Sequence, residues 1–320
     1  MHLSRRHAIA GLAAVTAAIA AGPLGAQTLP MIRVASPPDD DVTPVLWADK
    51  AGIFAKHGVR VEVQSISSGS AVAAAVAGGG VDIGKSSLMA LVSAHARGLP
   101  FRLIAPSGLY TSAHPVAAFL VAKNSTIRSA KDLNGKVVSA ASLRDLNAVA
   151  SQSWIDEHGG DSKSVRFLEI PNSAVPAALE QGKIDGATVV NPSLAVALAS
   201  GKTQVIGRSF DAIAHRFLIA SWFTTSDYLA RNGDTVRRFV AALHESAAYT
   251  NTHTSQTVDV LAAYSKMDAS VIRGMVRSVD PPLLDPREIQ PMIEAAARYK
   301  VIERAFPAQE MIAELEPTSR

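Results

Sequence analysis

Three groups of charged residues in this sequence can bind a charged partner. Lys85 follows a short strand-like run, and a cation at the carboxyl end of a strand can pair with an acid. Arg144 can supply a bidentate guanidinium, and the aspartates at residues 39–41 can hold an amine or a metal ion. The structural alternative for Lys85 and Arg144 is a solvated surface side chain. The alternative for the aspartates is solvation, or a favourable position at the N-terminal end of a helix that begins near Pro44.

Two predicted helix starts add backbone N–H groups to these side chains. Ser68, Gly69 and Ser70 precede an Ala/Val-rich helix, and Asn172 with Ser173 precedes the corresponding helix in the second half. Unpaired N–H groups at a helix start suit a carboxylate, a sulfonate or nitrate. The alternative is that these side chains only cap their own helices.

Sequence motifs for catalysis are absent. The chain contains no G-x-S-x-G, no H-E-x-x-H and no P-loop, and its histidines show no metal-ligand spacing. The chain also has no cysteine, which excludes disulfides, thiolate metal sites and a cysteine nucleophile. We therefore expect neither an enzyme nor a protein with a resident cofactor or metal.

A repeated pattern indicates how the candidate residues are positioned. Residues 76–84 and residues 179–187 both read as a helix tail, a glycine, Val or Ile, then an aspartate leading into a strand, with Asp82 and Asp185 103 positions apart. Each copy follows a strand, a Ser- or Asn-rich turn and a short helix. Strands that alternate with helices in this way predict two α/β lobes, each a mostly parallel sheet flanked by helices. We expect both aspartates to be structural.

The repeat also predicts the lobe boundaries and the location of the site. Apolar strands at residues 116–122 and 217–223 are read as crossings between lobes, so lobe 1 takes residues 27–115 and 218–320 and lobe 2 is inserted at residues 116–217. Helices are predicted at about 234–250, 254–265, 268–278, 286–300 and 307–314. Binding loops form at the carboxyl ends of strands, so we expect a ligand cleft between the two lobes.

Residues 1–26 read as an export signal. Arg5 and Arg6 precede an Ala-rich apolar stretch, and a small residue, Ala26, offers a cleavage point. The paired arginines are similar to a twin-arginine signal, and the general secretory route is the alternative. A mature chain outside the cytoplasm, in the periplasm, is expected. Its formal net charge is +1 once the two arginines are removed, which gives no electrostatic reason to expect nucleic acid.

The order of motifs along the mature chain resembles the nitrate/sulfonate/taurine group of periplasmic ABC-transporter solute-binding proteins, which is related to the thiamine-pyrimidine synthases. The matching stretches are residues 47–59, 68–69, 79–84, 98–100, 132–137, 178–187 and Pro192. The resemblance implies a two-lobed periplasmic-binding-protein fold of type II with two crossing strands. It also implies a monomer that closes on a small solute, most readily an anion, and docks on an ABC permease with its ATPase.

The ligand-contacting loops of that family can be transferred only by their place in the chain. They fall on Pro37, Asp39, Asp40, Ser68, Gly69, Lys85, Ser86, Ser87, Tyr110, Thr111, Ser142, Arg144, Asn191 and Ser193. This chain departs from the family where the aspartates replace a small polar stretch and where Lys85 replaces an apolar or aromatic residue. The alternatives are a pyrimidine or amine solute, a periplasmic sensor of a signalling system, and an enzyme.

Overall fold

The computed structural model describes residues 29–315 of the chain. This part contains two groups of strands. The strands are β1 (Met31–Ser36), β2 (Arg60–Ser65), β3 (Ile83–Ser87), β4 (Phe101–Thr111), β5 (Ala117–Ala122), β6 (Val137–Ala140), β7 (Arg166–Glu169), β8 (Gly186–Val190), β9 (Thr203–Gly207) and β10 (Arg216–Thr225). They form two five-stranded sheets of order β2-β1-β3-β10-β4 and β7-β6-β8-β5-β9.

Both sheets follow one plan. In the first sheet β1 lies parallel to β2 and β3, and β10 lies antiparallel to β3 and β4. In the second, β6 lies parallel to β7 and β8, and β5 lies antiparallel to β8 and β9. The sheets are therefore mixed. Their parallel part is the strand–helix unit that the repeat predicts, and their antiparallel pairs come from the two strands read as crossings.

The two repeated aspartates have equivalent structural roles. Asp82 Oδ2 accepts a hydrogen bond from the backbone N–H of Arg33 at 2.8 Å, and Asp185 Oδ2 accepts one from that of Val137 at 2.8 Å. In each case the aspartate N–H returns a bond to the carbonyl of the same residue. Each carboxylate thus ties the start of a strand to the neighbouring strand, as the sequence predicts.

The helices flank the sheets. They are α1 (Thr43–Lys50), α2 (Ile53–Lys56), α3 (Gly69–Ala77), α4 (Leu88–Ala96), α5 (Leu146–Glu157), α6 (Val175–Glu180), α7 (Ser193–Ala199), α8 (Ser226–Thr250), α9 (Val258–Ser265), α10 (Ala269–Gly274) and α11 (Pro286–Arg298). The C-terminal helices α8 and α11 pack on α1, α4 and β10 of the first sheet.

Two of the predicted C-terminal helices are shorter in the structure. The helix expected at 268–278 ends at Gly274, and the chain then runs as a loop that carries Arg277 and Ser278. The helix expected at 307–314 is only a 3₁₀ turn, Ala308–Met311, because Ile312 pairs with Leu103 of β4 and Ala313 N–H donates to the Leu103 carbonyl. Pairing with a strand removes the residues that a further helical turn would need.

The chain passes between the sheets twice, after β4 and before β10. An aromatic cluster marks this region: Tyr110 contacts Phe210 and Phe217 with ring centroids 5.3 and 5.2 Å apart. No described helix is long and apolar enough to span a bilayer. The expected export signal, residues 1–26, lies outside the described residues.

Candidate functional site

A cavity of about 900 Å³ lies where loops of the two sheets face each other. Lobe-1 loops after β1, before α3 and after β3 form one wall, and lobe-2 loops around residues 141–147, 172 and 190–191 form the other. Nine of the predicted contact residues line it: Asp39, Asp40, Ser68, Gly69, Lys85, Ser87, Ser142, Arg144 and Asn191. The strand ends that the repeat singled out thus meet around one space.

Three of the predicted contact residues lie behind the cavity wall in lobe 1. Pro37 is buried directly after β1, and Ser86 is fully buried beneath Gly69. Tyr110 is also fully buried, and its hydroxyl donates to Asp211 Oδ1 at 2.8 Å, which fixes the side chain in the aromatic cluster. These three residues therefore do not line the cavity in this structure.

Two further predicted residues also lie outside the cavity lining. Thr111 Oγ1 accepts a hydrogen bond from the N–H of His114 at 3.3 Å, so it stabilises the turn that leaves β4. Ser193 is the first residue of α7, two positions after Asn191, which does line the cavity.

Lys85 is not a free cation. Its side chain is 2% exposed, and its Nζ donates to Asp41 and, at 3.3 Å, to Asp39. Burial by itself lowers the pKa of Lys85, but the two carboxylates outweigh burial and raise the pKa above its usual value. Lys85 is therefore already paired within the chain, which weakens the prediction that it pairs with an acidic solute.

Asp40 has a different partner, which comes from the far end of the chain. Its Oδ1 lies 2.7 Å from Arg277 Nε, and its Oδ2 accepts the N–H of Ser278. Burial raises the pKa of Asp40, and the Arg277 guanidinium opposes this. Asp40 and Asp41 are buried and paired, so the solvated alternative does not describe them, although both lie in the turn directly before α1.

A fourth carboxyl group lies in the same part of lobe 1. Asp280 is buried and its Oδ1 accepts the N–H of Gly108 at 3.0 Å. Burial and the charge of Asp41 raise the pKa of Asp280 to about 8. Four carboxyl groups, those of Asp39, Asp40, Asp41 and Asp280, thus face two cations, Lys85 and Arg277; we call these six residues the charged cluster.

The raised pKa of Asp280 predicts a pH dependence of stability. The folded chain holds this proton up to about pH 8, whereas an unfolded aspartate releases it near pH 4. The stabilising contribution is therefore complete below about pH 4 and is lost as the pH rises towards 8. Asp280→Asn, which resembles the protonated acid, should remove this loss.

The measurement is urea unfolding of both proteins at several pH values. The free energy of unfolding of the wild type should fall relative to that of Asp280→Asn between about pH 5 and 8 and then run parallel to it. The groups that face this carboxyl group, the Gly108 N–H, Asp40, Asp41 and Lys85, are the same in both proteins. A constant difference between the two free energies of unfolding over the whole pH range would contradict the raised pKa of Asp280.

The helix starts at the cavity are already capped. Ser68 Oγ accepts the N–H of Ala71 at 3.2 Å at the start of α3. At the start of α5, Asp145 accepts the N–H groups of Ala148 and Ser142 at 2.8 and 2.9 Å. Burial raises the pKa of Asp145 to about 6, although these N–H donors stabilise the charged carboxylate and lower the pKa.

Asn172 does not cap a helix as predicted. A 3₁₀ turn, Asn172–Ala174, precedes α6, and the Asn172 side-chain oxygen instead accepts a hydrogen bond from Asn147 Nδ2 at 3.2 Å. Both asparagines line the cavity. They give lobe 2 a neutral polar surface opposite the charged cluster.

The sequence matches a known family over both walls of this cavity. The sequence model described as NMT1/THI5-like matches residues 39–257, which is more than half of the 320 residues. The chain belongs to the NMT1/THI5-like family. The match runs from Asp39 across lobe 2 and into α8, and so includes the loops of both cavity walls. No curated protein matches the sequence significantly.

Solved structures show the same fold. The periplasmic aliphatic sulphonate-binding protein SsuA of Escherichia coli superposes with a TM-score of 0.75 at 16% identity, covering 91% of this chain and 94% of that one. The alkanesulfonate-binding SsuA of Xanthomonas axonopodis pv. citri, bound to MOPS, superposes with a TM-score of 0.73 at 13% identity, covering 88% of this chain and 98% of that one. The nitrate-binding protein NrtA of Synechocystis PCC 6803 superposes with a TM-score of 0.71 at 12% identity, covering 88% of this chain and 85% of that one.

The remaining wall of the cavity in this NMT1/THI5-like chain is apolar and lacks aromatic rings. Among the described residues, its apolar lining consists of Ala, Val, Leu and Ile side chains. A planar heterocycle such as a pyrimidine therefore has no stacking partner there. No group of three or more His, Asp or Glu within residues 29–315 has the arrangement of a metal site.

Sequence reasoning missed several residues at this site. Asp145 is the N-cap of α5 and Asn147 lies in its first turn, so the N-cap signal could have found them. Arg97 directly follows α4 and also lines the cavity. Arg277 and Ser278 lie in a segment expected to be helical, and no local pattern indicates that they reach Asp40.

Proposed function

We propose that the protein is the extracytoplasmic solute-binding subunit of an ABC importer, and that it captures one small solute in the cavity between its lobes. The observation that carries this proposal is the 900 Å³ cavity, whose walls come from strand-end loops of two sheets built on one plan. A volume of this size suits a ligand of drug-like dimensions. The lobes would be residues 27–115 with 218–320, and residues 116–217.

Binding would proceed by closure. Ser68 and the charged cluster belong to lobe 1, whereas Arg144, Asn147 and Asn191 belong to lobe 2, so a solute contacts both walls fully only when they approach each other. Its binding then shifts the population towards the closed form. The two passages between the sheets, next to the aromatic cluster of Tyr110, Phe210 and Phe217, would act as the hinge.

One interlobe contact already spans the mouth of the cavity. Asn191 Nδ2 donates to the carbonyl of Val276 at 2.9 Å. Val276 directly precedes Arg277 and Ser278, which hold Asp40. A solute that contacts the charged cluster would therefore act on the same segment that lobe 2 contacts. The permease and ATPase would recognise the closed form, in the periplasm after removal of the export signal.

A solute screen tests this proposal. Thermal unfolding should be followed with nitrate, sulfonates, aromatic carboxylates, pyrimidines and amines at millimolar concentration, and hits should be measured by calorimetry. A ligand at about one hundred times its Kd stabilises the folded state by about 2.7 kcal/mol, which raises Tm by several degrees for a chain of this size.

Two variants of α3 locate the binding site. Ala74 lines the cavity, whereas Ala77 lies at the exposed end of the same helix and does not. Ala74→Trp should abolish the stabilisation by filling the cavity, and Ala77→Trp should retain it. Absence of stabilisation by any solute of the panel, or equal stabilisation of both variants, would count against the proposal.

A further inference from the structure

The sign of charge in the cavity indicates the class of its solute. Resting on the proposed solute-binding function, we infer that the solute presents a protonated amine to the Asp39 carboxylate and places an aliphatic body against the apolar wall. This differs from the anion that the sequence favours. It follows from three features of the cavity: the buried anion-binding groups already have partners, one carboxylate is half exposed, and the apolar lining has no aromatic ring among the described residues.

The buried groups that would attract an anion, Lys85 and the N–H groups at two helix starts, already have acidic or hydroxyl partners from the chain itself. Lys85 is enclosed by Asp41 and Asp39, and 2% of its side chain is exposed. Asp145 accepts N–H groups at the start of α5, and Ser68 caps α3. An anionic solute would have to displace one of these partners and would then lie beside the displaced carboxylate or hydroxyl.

Asp39 has the most exposed carboxylate of the charged cluster. Its side chain is 53% exposed and lines the cavity, and within residues 29–315 its one ion pair is the 3.3 Å contact with Lys85. Its partner Lys85 is shared with Asp41, which lies closer, and Arg277 is engaged by Asp40. Asp280 holds its proton up to about pH 8, so three carboxylates of the charged cluster face two cations, and one further cation would balance them.

The apolar lining of the cavity indicates the body of the solute. This lining comes from both lobes and includes Ala73, Ala90, Leu99, Leu146, Val190 and Ile219. Small aliphatic side chains favour a flexible aliphatic body over a ring that needs stacking. Arg97 and Arg144 also line the cavity and are exposed, as Asp39 is, so the sulfonate probe below tests whether they attract an anion instead.

The test compares three probes with one body: hexylammonium, hexanesulfonate and hexanol, titrated by calorimetry into the full mature chain. Hexylammonium should bind, and the other two should bind far more weakly. Asp39→Asn should weaken hexylammonium binding by about 10- to 100-fold, as expected for loss of a hydrogen bond between charged groups. Asp259→Asn, an equal charge change at an exposed residue of lobe 1, should leave it unchanged.

The unfolding temperature of Asp39→Asn should be measured as well, to show that the variant is folded. Preferential binding of hexanesulfonate, equal binding of all three probes, or hexylammonium binding that survives Asp39→Asn would each overturn the inference. Tight binding of the sulfonate would still support the proposed function, whereas failure of every solute in the wider panel would remove both.

Discussion

Replacing Lys85 with methionine should lower the free energy of unfolding by about 3–5 kcal/mol, the usual cost of leaving one side of a buried ion pair without its partner. Methionine keeps much of the volume of the side chain, so the loss reports on charge. Asp41, which is 10% exposed, would lose its cation, and Asp39 would lose its only ion pair. Urea unfolding near pH 7.5 measures the change.

The matched control is Lys56→Met. Lys56 pairs with Glu245 on the surface, where its side chain is 66% exposed, so the loss should stay within about 1 kcal/mol. The double variant Lys85→Met/Asp41→Asn should recover part of the loss, because the buried negative charge is then removed too. A Lys85→Met variant as stable as Lys56→Met would show that the pair does not form.

Replacing Gly69 with alanine should cost about 1–3 kcal/mol, the range for overpacking a filled site. A Cβ at this position would overlap Ser86 Oγ and would lie 3.2 Å from the backbone nitrogen of Ser87. Gly69 begins α3 on the cavity wall, so the strain should also move the helix start and weaken solute binding. Thermal unfolding and calorimetry measure the two effects.

Ser86→Ala provides the control for this variant. The Ser86 hydroxyl is buried without a hydrogen-bond partner, so its removal should be nearly neutral alone. Combined with Gly69→Ala it should restore part of the lost stability, with an interaction free energy of about 0.5–3 kcal/mol. Strictly additive losses would mean that the close contact with Ser86 is not the cause.

Much of the fold could be predicted because one sequence pattern occurs in both halves of the chain. The helix tail, the glycine and the aspartate before β3 and β8 have the same local cause in both halves: Asp82 and Asp185 each hold the start of a neighbouring strand. This repeated pattern is local in sequence, and it marks the strands β3 and β8. Because binding loops form at the carboxyl ends of such strands, the pattern also predicts the position of the cavity.

The chemistry of the site could not be predicted in the same way, because it depends on residues distant in sequence. Lys85 reads as a free cation until residues 39–41 fold against it, and Arg277 reaches Asp40 from a segment whose pattern is helical. Tyr110 was predicted at the cavity, yet its hydroxyl bonds to Asp211, 101 residues away. Sequence shows which groups are charged but not which of them neutralise each other.

The most direct test of the account is the distance between the lobes with and without solute. The chain contains no cysteine, so spin labels attach only at introduced positions. Ser67→Cys and Leu143→Cys place exposed labels next to cavity-lining residues of opposite lobes, and Ser67→Cys with Asp49→Cys places both in lobe 1 as a control. The pairs are measured with hexylammonium, or with the panel solute that stabilises the protein most.

We predict that saturating solute shortens and narrows the distance distribution of the cross-lobe pair and leaves that of the lobe-1 pair unchanged. Closure must bring the two walls together if both contact the same molecule. A solute that calorimetry shows to be bound, but that leaves the cross-lobe distribution unchanged, would contradict capture by closure of the lobes.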